Sequence, residues 1–220
     1  MNNQDFDAYA DHKRFNTKVA DTWDAALSGA LERTGRPSNA ILLLDYGCGD
    51  GKYFAHLVRR GLVAENIHGL EVSSRRVDRC RQIGWANAKL LVPNAPLPYE
   101  DGTFDLINCM EVIEHIPAAE GGRVIHELHR VLKPGGVLLI STPNYPIKRF
   151  YDLCDAVLHR KWARLRDDPT HVTYFNHQRL SRLLGSYFAR VEPWPFKPGF
   201  LHKRFPRPFF LHKLFFMCQV

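Results

Sequence analysis

Residues 41–51 read Ile-Leu-Leu-Leu-Asp-Tyr-Gly-Cys-Gly-Asp-Gly. An apolar run ends on an acid, Asp45, and then breaks into three glycines at alternating positions, Gly47, Gly49 and Gly51. Such a pattern is a buried strand entering a turn where the main chain comes close to a ligand. Glycine tolerates both that closeness and the φ values it needs. Further on, Ile67-His68-Gly69-Leu70-Glu71 again finishes a strand on a carboxylate. A glycine turn followed by an acid at the tip of the next strand is how an α/β sheet holds a ribose-bearing cofactor. A tight turn in some other α/β protein would show the same glycines, so the rest of the chain has to decide.

The spacing separates cofactor classes. A dinucleotide fingerprint needs a third glycine three residues after the second, where this chain has Lys52. A P-loop needs Gly-Lys-Ser/Thr after a four-residue spacer, and none follows. The Gly47-x-Gly49-x-Gly51 turn resembles that of class I S-adenosylmethionine (SAM) methyltransferases, whose cofactor has no pyrophosphate to seat on a helix.

Around this turn the chain alternates strand and helix. A leading helix is expected over 17–33, with Val19, Trp23, Ala26, Leu27 and Ala30 at helical spacing and Gly35 and Pro37 ending it. Strands are expected at 41–46, up to Glu71, at 89–92, at 104–109 and at 137–141. Helices are expected at 52–60, from a Ser73 or Ser74 cap to Ile83, and at 121–132, stopping at Lys133-Pro134-Gly135-Gly136. Regular alternation of this kind predicts a parallel sheet covered by helices on both faces, with ligands beyond the carboxyl ends of the strands.

Four blocks in order extend the resemblance over 40–143: LLDYGCGDG, GLEVS, LPYEDGTFDLINCMEVIEH and LHRVLKPGGVLLISTPN. Together they are similar to the class I SAM methyltransferases that include ubiquinone-pathway O-methyltransferases. A downstream block, THVTYFNHQRLSRLL, resembles the region where such enzymes set a helix beside the substrate. The resemblance implies a Rossmann-like methyltransferase fold: a mostly parallel seven-stranded sheet with an antiparallel last strand. It implies one domain over 1–220, with a helical region at 1–38, a substrate-side insertion at 144–176 and a closing hairpin with an aromatic basic tail at 186–220. By the same resemblance Asp45, Gly47, Cys48, Gly49 and Gly51 surround the methionine part of the cofactor. Glu71, followed by Val72, takes the ribose hydroxyls, a bidentate task suited to a carboxylate. Asn94 and Ala95 face the adenine amino group, where the family commonly has Asp and Asn still offers a carbonyl oxygen. Cys109 and Met110 line the cofactor, although simple packing is the better account of Met110.

Methyl transfer asks the protein for alignment, exclusion of water and, for a hydroxyl acceptor, a base or a metal. Glu111, Glu114 and His115 stand at i, i+3 and i+4, which on a helical turn is one face. This E-x-x-E-H segment resembles the metal site of small-RNA 2′-O-methyltransferases and of some quinone O-methyltransferases, with His171 as the further ligand. Two carboxylates and imidazole suit Mg²⁺, Mn²⁺ or Zn²⁺. The alternative is a metal-free site in which His115 is a base or holds the loop. In either case Glu111, Glu114, His115 and His171 are the polar groups expected near the reacting atom, while His177 is expected to start a helix.

Composition narrows the partners. The 220 residues, 45% hydrophobic and 24% charged, suit one globular domain. The formal net charge of +7 favours an anionic partner or simply a basic enzyme. Five cysteines without a C-x-x-C pair suggest neither a disulfide framework nor a zinc ribbon. The N-terminus lacks the apolar stretch of a signal peptide, and no run approaches a membrane span, so a cytoplasmic place is expected. The basic, aromatic segment 144–170 reads as a lid, a substrate wall or a solvated helix. The tail from Pro193 reads as the wall of an apolar pocket or a peripheral membrane contact through 193–220. The expected acceptor is a small molecule, a glycan or a lipid-linked hydroxyl. An RNA ribose is a second reading, opposed by the lack of a dense Lys/Arg run. A non-catalytic SAM-fold partner protein is a third.

Overall fold

The computed structural model describes residues 6–8, 10, 19–194 and 211–220. Seven strands form one sheet in the order β3-β2-β1-β4-β5-β7-β6. They are β1 (Leu43–Tyr46), β2 (Ile67–Glu71), β3 (Ala88–Leu90), β4 (Phe104–Met110), β5 (Leu132–Pro143), β6 (Arg190–Pro193) and β7 (Lys213–Gln219). Strands β1 to β5 pair in parallel, and β7 runs antiparallel between β5 and β6. This is the expected mostly parallel sheet with an antiparallel last strand.

Both faces are covered. Adjacent strand residues point to opposite sides, and Phe215 and Phe216 accordingly fall in different hydrophobic clusters. On one face α1 (Asp21–Thr34) buries Trp23, Ala26, Leu27 and Ala30, ending at Gly35 with φ 63°. It shares that cluster with Leu57 of α2 (Phe54–Arg59) and with Val77 and Cys80 of α3 (Ser74–Gln82). On the other face α4 (Ala118–Arg130) and α6 (His177–Gly185) contribute Ile125, Leu128, Leu180 and Leu184. Ser73 caps α3 by accepting from the Arg76 N–H, and Asn176 caps α6 by accepting from the Arg179 N–H.

Three local expectations are corrected. Lys133-Pro134-Gly135-Gly136 does not separate a helix from a strand. Helix α4 ends earlier, at Arg130, and β5 already begins at Leu132. Leu132 pairs with Phe104, and pairing resumes with Val137 opposite Leu106, so the intervening residues form a bulge. Gly135 takes φ 77° there, and a Cβ on Gly136 would stand 2.8 Å from the Lys133 carbonyl oxygen. Strand β3 stops at Leu90, leaving Val92 exposed. Helix α2 is a short Phe54–Arg59 segment.

Chain order reverses at β1, which lies between β2 and β4. Ligand crevices form at this switch, beyond the carboxyl ends of the strands. After β5 the chain makes α5 (Ile147–His159) and a 3-10 turn at Trp162–Leu165. It then returns so that Asn144 bridges Phe175 and the Tyr145 N–H donates to the Phe175 carbonyl at 2.7 Å. The aromatic tail falls largely in 195–210, outside the described residues. Among the described residues no helix is long and apolar enough to cross a membrane.

Candidate active site

At the end of β1 the glycine turn takes positive φ at Gly47 (76°), Gly49 (56°) and Gly51 (78°). The N–H groups of Gly47 and Cys48 donate to the Leu70 carbonyl at 2.7 and 3.0 Å, which ties the turn to β2. A Cβ on Gly47 would lie 2.3 Å from Cγ2 of Val112, so the turn and the segment after β4 are packed against each other there. Glu71 is almost fully buried at the tip of β2. Its Oε2 accepts from the Gly49 N–H at 2.9 Å and its Oε1 from the Ser73 N–H at 3.1 Å. Burial pushes this carboxyl up, opposed by Arg76 and the backbone donors.

Gly47, Cys48, Gly49, Glu71, Val72 and Met110 line one end of a cavity of about 540 Å³. That volume lies within the range of small-molecule sites. Phe6 also lines it, and Asp7 accepts from the Ser73 and Ser74 hydroxyls at 2.6 and 2.8 Å. N-terminal residues therefore reach the cofactor end, which sequence periodicity did not reveal.

Five expected cofactor residues stand elsewhere than in this wall. Asp45 lies behind the turn, where its Oδ1 accepts from Asn108 Nδ2 at 2.6 Å and Asn108 Oδ1 accepts from the Trp23 indole at 2.8 Å. Burial raises the Asp45 carboxyl to about 7, and its Oδ2 meets no donor among the described residues. Gly51 faces Ile83, Cys80 and Trp85. Cys109 is buried in the core, because alternation along β4 turns it away while Met110 faces the cavity. Asn94 and Ala95 line a neighbouring hollow of about 30 Å³ that shares Tyr46 and Leu91 with the larger cavity. The Asn94 carbonyl oxygen there accepts from Arg123.

At the other end the expected one-faced helical turn over 111–115 is not formed. Glu111 has φ 59°, and only Ile113–His115 makes a 3-10 turn. Glu111 instead accepts from the Ser141 hydroxyl at 2.7 Å and pairs with the Lys213 ammonium at 2.7 Å. Burial works to raise its carboxyl, but Lys213 and the hydrogen bonds hold it below the ordinary range. Glu114 is buried, with Oε2 accepting from the Thr142 hydroxyl at 3.0 Å and Oε1 without a partner among the described residues. Burial, then the Glu111 charge, pushes the Glu114 carboxyl well above its ordinary value.

Two histidines complete the cluster. Nδ1 of His115 lies 3.1 Å from the Thr170 carbonyl, so the proton sits on Nδ1 and donates. Nδ1 of His171 lies 2.9 Å from the Tyr145 hydroxyl, which itself donates to Asp167 at 2.8 Å and so accepts from the imidazole. These tautomers follow from the hydrogen-bond network. Burial lowers both imidazole pKa values. The Val172 and Thr173 N–H groups donate to the Glu114 carbonyl and tie the two segments together. Ligand atoms of Glu114, His115 and His171 lie within 4.8 Å of one another, and Glu111 stands outside the group. His177 begins α6, as expected.

Lys148, Asp152 and Lys213 also line this end. The sequence shows them only as members of basic segments. Lys148 pairs with Asp152, one helical turn on, at 2.7 Å, a local spacing that could have been noticed. Lys213 reaches Glu111 through strand pairing, which leaves no local signal.

A family model described as a methyltransferase domain matches residues 12–187. The chain is similar to the ubiquinone biosynthesis O-methyltransferase of Colwellia psychrerythraea, 28% identical over 148 residues that cover 65% of this chain and 57% of the relative. It is 34% identical over 125 residues to the corresponding Pseudomonas paraeruginosa protein, covering 51% and 48%. The chain thus spans about half the length of the curated relatives it matches. A SAM-dependent methyltransferase from Archaeoglobus fulgidus superposes with a TM-score of 0.64 at 16% identity, covering 89% of this chain and 94% of that one. The magnesium protoporphyrin IX methyltransferase of Synechocystis PCC 6803, solved with bound SAH, gives 0.60 at 16% identity, covering 99% and 95%. These two structures share the fold.

Proposed function

The chain belongs to the methyltransferase-domain family, with the class I SAM-dependent fold, and from this premise we propose that it methylates a hydroxyl group of a small-molecule, glycan or lipid-linked acceptor. One observation carries the reading: a single cavity joins Glu71 and the Gly47–Gly49 turn to Glu114, His115 and His171. When bound, SAM supplies a methyl group already activated by its sulfonium. Glu71, held by two backbone donors, would grip the ribose, with Val72 and Met110 as apolar walls. The buried, rigid turn would exclude water and fix the reacting partners.

The acceptor's proton is the remaining problem. His115 and His171 are neutral, and their Nδ1 protons are engaged, so each ring keeps one nitrogen able to take a proton. Glu114 Oε1, without a partner among the described residues, adds a further oxygen to the same cluster, on a carboxyl that burial and the Glu111 charge push toward its protonated form. One carboxylate and two imidazoles also fit a divalent cation, with Zn²⁺ or Mn²⁺ suited to such donors. Held by Glu114, His115 and His171, the cation would supply a Lewis acid that lowers the acceptor's pKa. Lys213 keeps Glu111 out of that set.

Two measurements test the proposal. Glu71→Gln should weaken SAM binding in calorimetry at least roughly tenfold, since a charge-assisted contact is lost; unchanged affinity overturns the cofactor half. Transfer of tritiated methyl from SAM into extract fractions, with and without EDTA, tests the acceptor half. Label in a lipid or small-molecule fraction is expected, and label confined to RNA overturns it. Loss of transfer in EDTA, with return on adding Zn²⁺ or Mn²⁺, assigns the cluster to a metal; indifference to EDTA assigns it to the two imidazoles.

A further inference from the structure

The stretch 147–166 presents two unlike faces. Inward, Ile147, Asp152 and Ala156 are buried, and Lys148 and Asp152 line the cavity. Outward, Phe150, Leu153 and Val157 stand at i, i+3 and i+7, joined by Leu158, Trp162 and Leu165, all between 36% and 72% exposed. Six of the 13 exposed large apolar side chains among the described residues are concentrated in this short stretch. Its charges are one-sided. It carries six Lys or Arg against two Asp. Asp152 is buried against Lys148, and Asp155 faces His159 at 3.3 Å. Arg160, Lys161 and Arg166 are exposed beside the apolar residues.

We propose that this face is an interfacial anchor that lies on an anionic lipid bilayer. Apolar and indole side chains ringed by cations, with no exposed carboxylate among them, match a surface of acyl chains beneath anionic headgroups. A second copy of this chain, with a formal net charge of +7, would meet these cations with like charge. Contact would be peripheral, since no helix of the described residues is long and apolar enough to cross a bilayer. Because α5 is also a wall of the cavity, docking would hold a lipid-borne hydroxyl within about one helix diameter, ~10 Å, of the acceptor end. The anchor stands independently of the methyl-transfer reading, because vesicle binding is measured without activity.

The experiment is sedimentation of the full chain with vesicles of phosphatidylcholine, with and without phosphatidylglycerol. Co-sedimentation only with the anionic vesicles, reversed by salt, is expected. Lys161→Ala and Arg166→Ala should each lower the partition coefficient roughly fivefold. Leu153→Glu combined with Val157→Glu should abolish binding while leaving the circular dichroism and SAM affinity unchanged. Three results would overturn the proposal: no binding to anionic vesicles, equal binding by wild type and the double variant, or a concentration-dependent dimer that the double variant removes. The second would move the contact to another segment such as 193–220, and the third would give the face to a second copy of the chain.

Discussion

Asp45 shows what a carboxylate costs when it is placed behind a cofactor turn instead of in it. Its pKa is raised by burial to about 7 against an ordinary 3.8, so the folded protein keeps a proton that the unfolded chain releases. The linked stability is fully present below 3.8 and is lost as pH rises to about 7. Denaturant titrations across that window should show the wild type losing on the order of 4 kcal/mol relative to Asp45→Asn. Parallel pH curves for the two proteins would show that Asp45 does not carry this dependence. At this scale legibility followed locality. Glu71 sits at a strand tip, and a short motif reveals that position. Glu111 was misplaced because helical spacing was applied to a residue with φ 59°. Lys213 was invisible as a site residue because its partner, Glu111, is remote in sequence.

The glycine turn acts as an element because its φ values and its neighbours agree. Gly47→Ala would need both a left-handed alanine and a Cβ 2.3 Å from Val112 Cγ2. The expected loss is on the order of 3 kcal/mol, read as a lowered thermal midpoint. SAM affinity should fall with it, since Val112 leads into the Glu114–His115 turn. An unchanged midpoint would mean that Val112 moves aside freely. The strands β1, β2 and β4 were legible because each is an apolar run with a clear end. The Lys133–Gly136 segment was not, since Pro and Gly signal a loop equally well when they form a bulge inside a strand. The outward face of α5 was visible as basic and aromatic, but its separation from the cavity wall needed the fold.

For the whole molecule, the chain's late strand is structurally central. Seven residues of β7 pair with β5 and four with β6, and Phe215, Phe216 and Met217 are fully buried in the two hydrophobic clusters. Truncation before Lys213 should therefore abolish cooperative unfolding and leave an aggregating species, checked by calorimetry and light scattering. A folded, monomeric truncation product would show that the strands before β7 suffice. The overall architecture was legible from the regular alternation of elements, whereas the acceptor's identity was not, because it depends on side chains brought together from 111–115, 145–171 and 213. The position of β7 also bears on biogenesis. Domains tend to fold from the N-terminus as they are synthesised, yet this sheet keeps an open β5 edge until residue 219 has left the ribosome. A nascent chain would meanwhile display an apolar, unpaired ladder at β5, open to edge-to-edge association with other chains until β7 docks on it.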